Sequence, residues 1–105
     1  MSKLRIGFVG AGQMARALAS GFVSAGLVAA EQIVAFDPGD KAWGEFSAAL
    51  VGAKRAATNA EVVQQSEVIF LAVKPQSFAA VAPTIKPATT PQKLFVSIIT
   101  GISLD

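Results

Sequence analysis

The 105-residue chain is 52% hydrophobic and 15% charged, its nine basic and seven acidic residues leaving a net charge of +2. That suffices for one compact core with strands buried on both faces, while so small a charge, without any basic run, speaks against nucleic acid or an anionic membrane as partner. Cysteine, histidine and tyrosine are all absent, which removes disulfides, thiol nucleophiles, the common metal ligands and the usual general acid–base group.

The apolar run Leu4-Arg5-Ile6-Gly7-Phe8-Val9 reads as a first strand. Directly after it stands Gly10-Ala11-Gly12-Gln13-Met14-Ala15, a G-x-G-x-x-A turn opening a helical pattern. Gly10 lets the chain leave the strand sharply. Gly12, lacking a Cβ, lets the main chain approach an anion closely, and Ala15 keeps the helix near the strand. The unpaired N–H groups at the helix start, with the positive end of its dipole, suit a dinucleotide pyrophosphate. The bland alternative is a tight strand-to-helix turn without a ligand.

Along the helix, Met14, Leu18 and Phe22 recur at helical spacing beside a small stripe of Ala11, Ala15 and Ala19, and Gly26 provides the stop. Gln32 to Phe36 reads as the second strand, ending at Asp37-Pro38-Gly39-Asp40, with Asp40 expected to cap a second helix that carries Trp43, Phe46 and Leu50 on one face and stops near Gly52. Ala53 to Ala57, broken by Lys54 and Arg55, is a weak edge strand. Thr58-Asn59-Ala60-Glu61 has capping-box spacing for a short helix to about Gln65.

Glu67 to Val73 is a continuous apolar run of the kind a central parallel strand shows. Lys74-Pro75-Gln76 ends it, a helix from Gln76 to about Val81 is expected to close at Pro83, and Lys93 to Ile99 forms the last strand. Alternating strands and helices of this size predict a Rossmann-like, doubly wound α/β fold with a parallel sheet in the order 3-2-1-4-5. The loops after Val9, Phe36, Val73 and Ile99 then face one crevice at the switch point. No apolar segment reaches the roughly 18 residues of a membrane span and the N-terminus lacks a signal-peptide pattern, so the expected setting is soluble and cytoplasmic.

Three further residues stand at the crevice. Asp37, ending strand two, can accept hydrogen bonds from the adenosine ribose, or simply form the Asp-Pro-Gly turn. In the first role its charge opposes a 2′-phosphate, by about 1 kcal/mol at roughly 4 Å in water and about 4 at an effective dielectric near 20. That favours NADH unless Lys41, Lys54 or Arg55 offsets it. Lys74, ahead of Pro75, can contact phosphate, ribose or an anionic substrate, or stay a solvated strand-end cation. Asn59 offers its amide to a cofactor or merely starts a helix.

Val9 to Ala15, then Leu71-Ala72-Val73-Lys74-Pro75-Gln76, then Ser97-Ile98-Ile99-Thr100-Gly101-Ile102-Ser103-Leu104 resemble, in order, the signatures of pyrroline-5-carboxylate reductase. The resemblance implies reduction of 1-pyrroline-5-carboxylate to proline by NAD(P)H, the last step of proline synthesis. It implies a pyrophosphate loop at Gly10, Ala11, Gly12, Gln13 and Met14, an adenosine-ribose contact at Asp37 and a cofactor contact at Asn59. Ala72, Val73, Lys74 and Pro75 fall at the nicotinamide-side strand end, and Ser97 to Gly101 beneath the nicotinamide. Asp37 departs from the small or basic residue of many NADP-preferring members, which turns the expectation toward NADH. Family members continue into a helical domain that forms the dimer and much of the substrate pocket, so residues 1–105 are expected to be the NAD(P)-binding domain alone, inactive or weakly active by itself. Two other readings share the G-x-G start: a related imine or β-hydroxyacid oxidoreductase, and a non-catalytic nucleotide-sensing module.

Overall fold

The computed structural model describes residues 4–73 and 75–98. Lys74 and the stretch from Ile99 onward lie outside them, as does most of the segment expected beneath the nicotinamide. Among the described residues five strands form one sheet: β1 (Ile6–Val9), β2 (Ile33–Phe36), β3 (Lys54–Arg55), β4 (Val68–Leu71) and β5 (Leu94–Ser97). Every pairing is parallel and the order is β3-β2-β1-β4-β5, as the alternation of elements predicts. In register, Ile6 sits between Ile33 and Val68, and Val9 between Phe36 and Leu71.

Among the described residues four α-helices connect the strands: α1 (Gln13–Ser24), α2 (Asp40–Ala49), α3 (Asn59–Gln65) and α4 (Pro75–Ile85). Because side chains alternate across a strand, the sheet sorts its apolar residues into two cores. On one face Phe8, Ile33 and Ala35 pack with Phe46 and with Ala11, Ala15 and Ala19. On the other, Val9, Val34, Ile69 and Leu71 pack with Val62 and Val63 of α3 and Ile85 of α4. The small stripe of α1 is thus the buried one, with Ala15 and Ala19 fully covered. Alanine there brings the helix axis close to the sheet, so Met14 is left 45% exposed at the crevice instead of packing with Leu18 and Phe22.

The helix ends follow from local chemistry. Gly26 has φ +77°, its N–H donates to the Val23 carbonyl and that of Leu27 to the Phe22 carbonyl, a Schellman ending. The expected cap at Asp40 is corrected: Gly39 occupies the cap position and Asp40 is the first helical residue. Asp37 has already turned the chain by accepting the Gly39 N–H at 2.8 Å, and Asp40 instead pairs with Arg55 at 3.0 Å. At α3, Thr58 accepts the Glu61 N–H at 3.1 Å as expected, but the Glu61 carboxylate reaches Ala57 rather than Thr58. Nor does Pro83 close α4; the helix runs on to Ile85, which is 7% exposed. A proline near the end deletes one backbone bond, the Thr84 hydroxyl donates to the Val81 carbonyl at 2.6 Å, and burial of Ile85 favours the extra turn.

Candidate functional site

The carboxyl ends of β1, β2 and β4 open into a crevice of about 1050 Å³ at the switch point between β1 and β4. Gly10 makes the exit from β1 with φ +99°, and a Cβ there would collide with the Ala72 carbonyl oxygen, so only glycine lets the β1 and β4 ends lie side by side. Gly12 has ordinary extended angles, and a Cβ on it would meet nothing within 4 Å among the described residues. The open space beside Gly12 is the mouth of the crevice.

The first intrahelical bond of α1 runs from the Arg16 N–H to the Gly12 carbonyl at 2.9 Å. The N–H groups of Gly12, Gln13, Met14 and Ala15 therefore have no partner inside the helix and stand at the positive end of its dipole. The two amides before them are committed to the fold: Gly10 donates to the Phe36 carbonyl at 2.8 Å and Ala11 to the Asp37 carboxylate at 2.9 Å.

Of the residues expected at the site, Gly10, Gly12, Gln13, Met14, Asp37, Asn59, Ala72 and Val73 line the crevice. Ala11 lies behind it, 2% exposed in the core beneath α1. Pro75 opens α4, while Lys74 is outside the described residues. The Asn59 amide, on the first residue of α3, stands 3.5 Å from the Thr84 hydroxyl, a contact long enough to yield to a ligand.

The crevice also takes in residues that reading the sequence passed over. Phe36 and Pro38 flank Asp37, and Arg16, Ala17 and Val81 line the walls. Arg16 lies one helical turn after Gly12, a spacing that could have pointed to it; its guanidinium pairs with Glu45 of α2 at 3.2 Å. The three cations considered as offsets to Asp37 separate clearly. Arg55 touches the turn itself, donating to the Asp37 carbonyl at 3.0 Å while lying 5.7 Å over the Trp43 ring, whereas Lys41 is exposed and Lys54 lines a second cavity with Arg5, Glu31 and Glu67.

Free amides at a helix start, room beside Gly12, apolar walls from Val9, Met14, Ala72 and Val73, and one carboxylate at the end of β2 together fit an extended dinucleotide. Among the described residues no group of acidic side chains could hold a metal ion, and no helix is long and apolar enough to cross a membrane.

Fold and site define a Rossmann-type domain for a nicotinamide dinucleotide. The chain belongs to the family described as NADP oxidoreductase, coenzyme F420-dependent, which it matches over residues 5–101. It is 44% identical over 106 residues to pyrroline-5-carboxylate reductase of Pseudomonas aeruginosa, covering 97% of this chain and 37% of that protein. To rat pyrroline-5-carboxylate reductase 3 it is 42% identical over 101 residues, covering 96% and 36%. A crystal structure of the Plasmodium falciparum pyrroline carboxylate reductase with NADP bound superposes with a TM-score of 0.77 at 30% identity, over 99% of this chain and 36% of the other. The corresponding enzyme of Coxiella burnetii shares the fold at a TM-score of 0.82 and 23% identity. The chain thus spans a little over a third of the length of the relatives it matches.

Proposed function

We propose that this chain is the cofactor-binding domain of an NAD(P)H-dependent reductase that converts 1-pyrroline-5-carboxylate to L-proline. The observation that carries the reading is the pairing of Gly10 and Gly12, one closed against Ala72 and the other open to the crevice, in a chain 44% identical to a reductase of that name. Gly12, Gln13 and Met14 hold the pyrophosphate through their amides, with Gly10 and Ala11 shaping the loop behind them. Asp37 and Asn59 take the adenosine side, while Ala72, Val73, Lys74 and Pro75 border the nicotinamide. The bound nicotinamide supplies the hydride for the imine carbon; the protein contributes position and electrostatics.

Asp37 sets the preference toward NADH, because a 2′-phosphate would lie beside its charge. The substrate pocket and the contacts of a homo-oligomer belong to a helical domain of the longer protein, and the setting is the cytoplasm. Neither nucleic acid nor a membrane enters this reading.

Calorimetric titration of NADH and NADPH into the chain tests it. The expected result is binding of both, tighter for NADH, and lost in Gly12→Asp. Failure of wild type to bind either would overturn the assignment of the loop. The domain alone is expected to turn over slowly or not at all, so proline formation by it at the enzyme-typical rate of about 10 per second would overturn the division of labour.

A further inference from the structure

The Asp37 carboxylate is engaged on both sides by the fold. Oδ2 accepts the Ala11 N–H at 2.9 Å and Oδ1 accepts the Gly39 N–H at 2.8 Å. The Asp37 carbonyl accepts from Arg55 at 3.0 Å, and the neighbouring Phe36 carbonyl takes the Gly10 N–H at 2.8 Å. Two consecutive amides of the glycine-rich loop are therefore held by two consecutive residues ending β2, one through a carbonyl and one through a side chain.

We infer that Asp37 is a positioning residue for the glycine-rich loop, its carboxylate tying the β1–α1 turn to the β2–α2 turn so that the anion-binding amides are set before a dinucleotide arrives. The inference deepens the reading of the crevice as a dinucleotide site and rests on it. Gly10 takes a positive φ that glycine adopts without strain, and among the described residues α1 starts at a cap without a side-chain acceptor. The Ala11–Asp37 bond restrains the residue just before that cap from the end of the neighbouring strand. A carboxylate has about four acceptor positions; with two used, the others remain for ribose hydroxyls. Tied on both sides, the charge is unable to rotate away from a 2′-phosphate, so the same anchoring makes the discrimination against NADPH rigid.

A ribose contact and a loop tie forecast different results for Asp37→Ala. If Asp37 only met the ribose, NADH would bind more weakly while NADPH, relieved of a like charge, would bind equally well or better. If Asp37 also holds the loop, NADH loses about tenfold or more from the broken tie, the size of a lost charge-assisted hydrogen bond, and NADPH gains correspondingly less than relief of the like charge alone would give. NADH binding unchanged in a folded Asp37→Ala would overturn the inference.

Amide hydrogen exchange without any ligand gives an independent reading. The Ala11 amide is expected to exchange at least about tenfold faster in Asp37→Ala while the amides of β4 keep their protection; an unchanged Ala11 rate would overturn the inference. Should Asp37→Ala not fold, wild type alone decides. A protected Ala11 amide with a scalar coupling across the hydrogen bond to the Asp37 carboxyl carbon supports the tie, and exchange at the open-chain rate overturns it. A protected Ala11 in a wild-type chain that binds neither NADH nor NADPH would leave the tie standing and sink the dinucleotide reading instead.

Discussion

The floor of β1 and the rim of the crevice are separated by a few residues and put the same amino acid to opposite uses. At the floor, Gly7 leaves room for α3: a Cβ there would overlap the Ser66 hydroxyl and come within 2.6 Å of Val62. At the rim, Gly12 has nothing within 4 Å of its absent Cβ among the described residues. Gly10, between them, serves the fold through its positive φ and its close approach to Ala72. Glycine at the floor permits packing, and glycine at the rim preserves space. Stability and binding are consequently separable along one short segment, and substitutions along it should divide cleanly.

The largest effect belongs to the floor. Phe8 is fully buried, stacked on Phe70 with centroids 5.2 Å apart and edge-on to Phe46 at 6.0 Å. Truncation in Phe8→Ala is expected to cost about 3–5 kcal/mol, read as a lower denaturant midpoint. At the rim the effect moves wholly to binding. Gly12→Asp is expected to change stability by less than about 0.5 kcal/mol. By placing a carboxylate near the pyrophosphate it should weaken NADH by about a thousandfold, from a repulsion of about 4 kcal/mol at an effective dielectric near 20. A variant that bound normally yet unfolded easily would invert the comparison.

Gly10→Ala should lose both properties together. The strained φ alone costs about 1–3 kcal/mol, and the displaced loop weakens NADH in the same titration. Loss of stability with intact binding would show that the rim does not depend on the floor. The smallest effect is expected at Ser66, whose hydroxyl is buried without a hydrogen-bond partner among the described residues while its carbonyl accepts from Lys93 at 2.7 Å. Ser66→Ala removes an unpaired polar atom and keeps that bond, so thermal unfolding should show no loss, or a gain of up to about 1 kcal/mol. Destabilisation would mean that the Ser66 hydroxyl has a partner in solution.

Much of this was legible in the residues because it is local. A glycine pair at a strand end, apolar runs of strand length, a Thr-x-x-Glu start and a glycine stop each act through near neighbours in the chain. The strand order and the crevice at the β1–β4 switch follow from the right-handed crossover rule applied to that alternation. Eight of the eleven residues expected at the cofactor line the crevice, because they end strands or open helices and such ends share one edge of a parallel sheet.

What the tertiary structure decided depends on contacts distant in sequence. Spacing alone put Met14 in one packing stripe with Leu18 and Phe22; the close approach of helix to sheet through the alanines keeps Leu18 and Phe22 on the core and turns Met14 outward. Pro83 reads as a stop, yet burial of Ile85 two residues on carries α4 through it. Asp37 reads equally as a ribose ligand or a turn former, and only the fold brings its carboxylate to Ala11, 26 residues earlier, and Arg55 to its carbonyl, 18 residues later. Local propensity determined where the chain turns, whereas the pairing of distant strand ends determined what each turn holds.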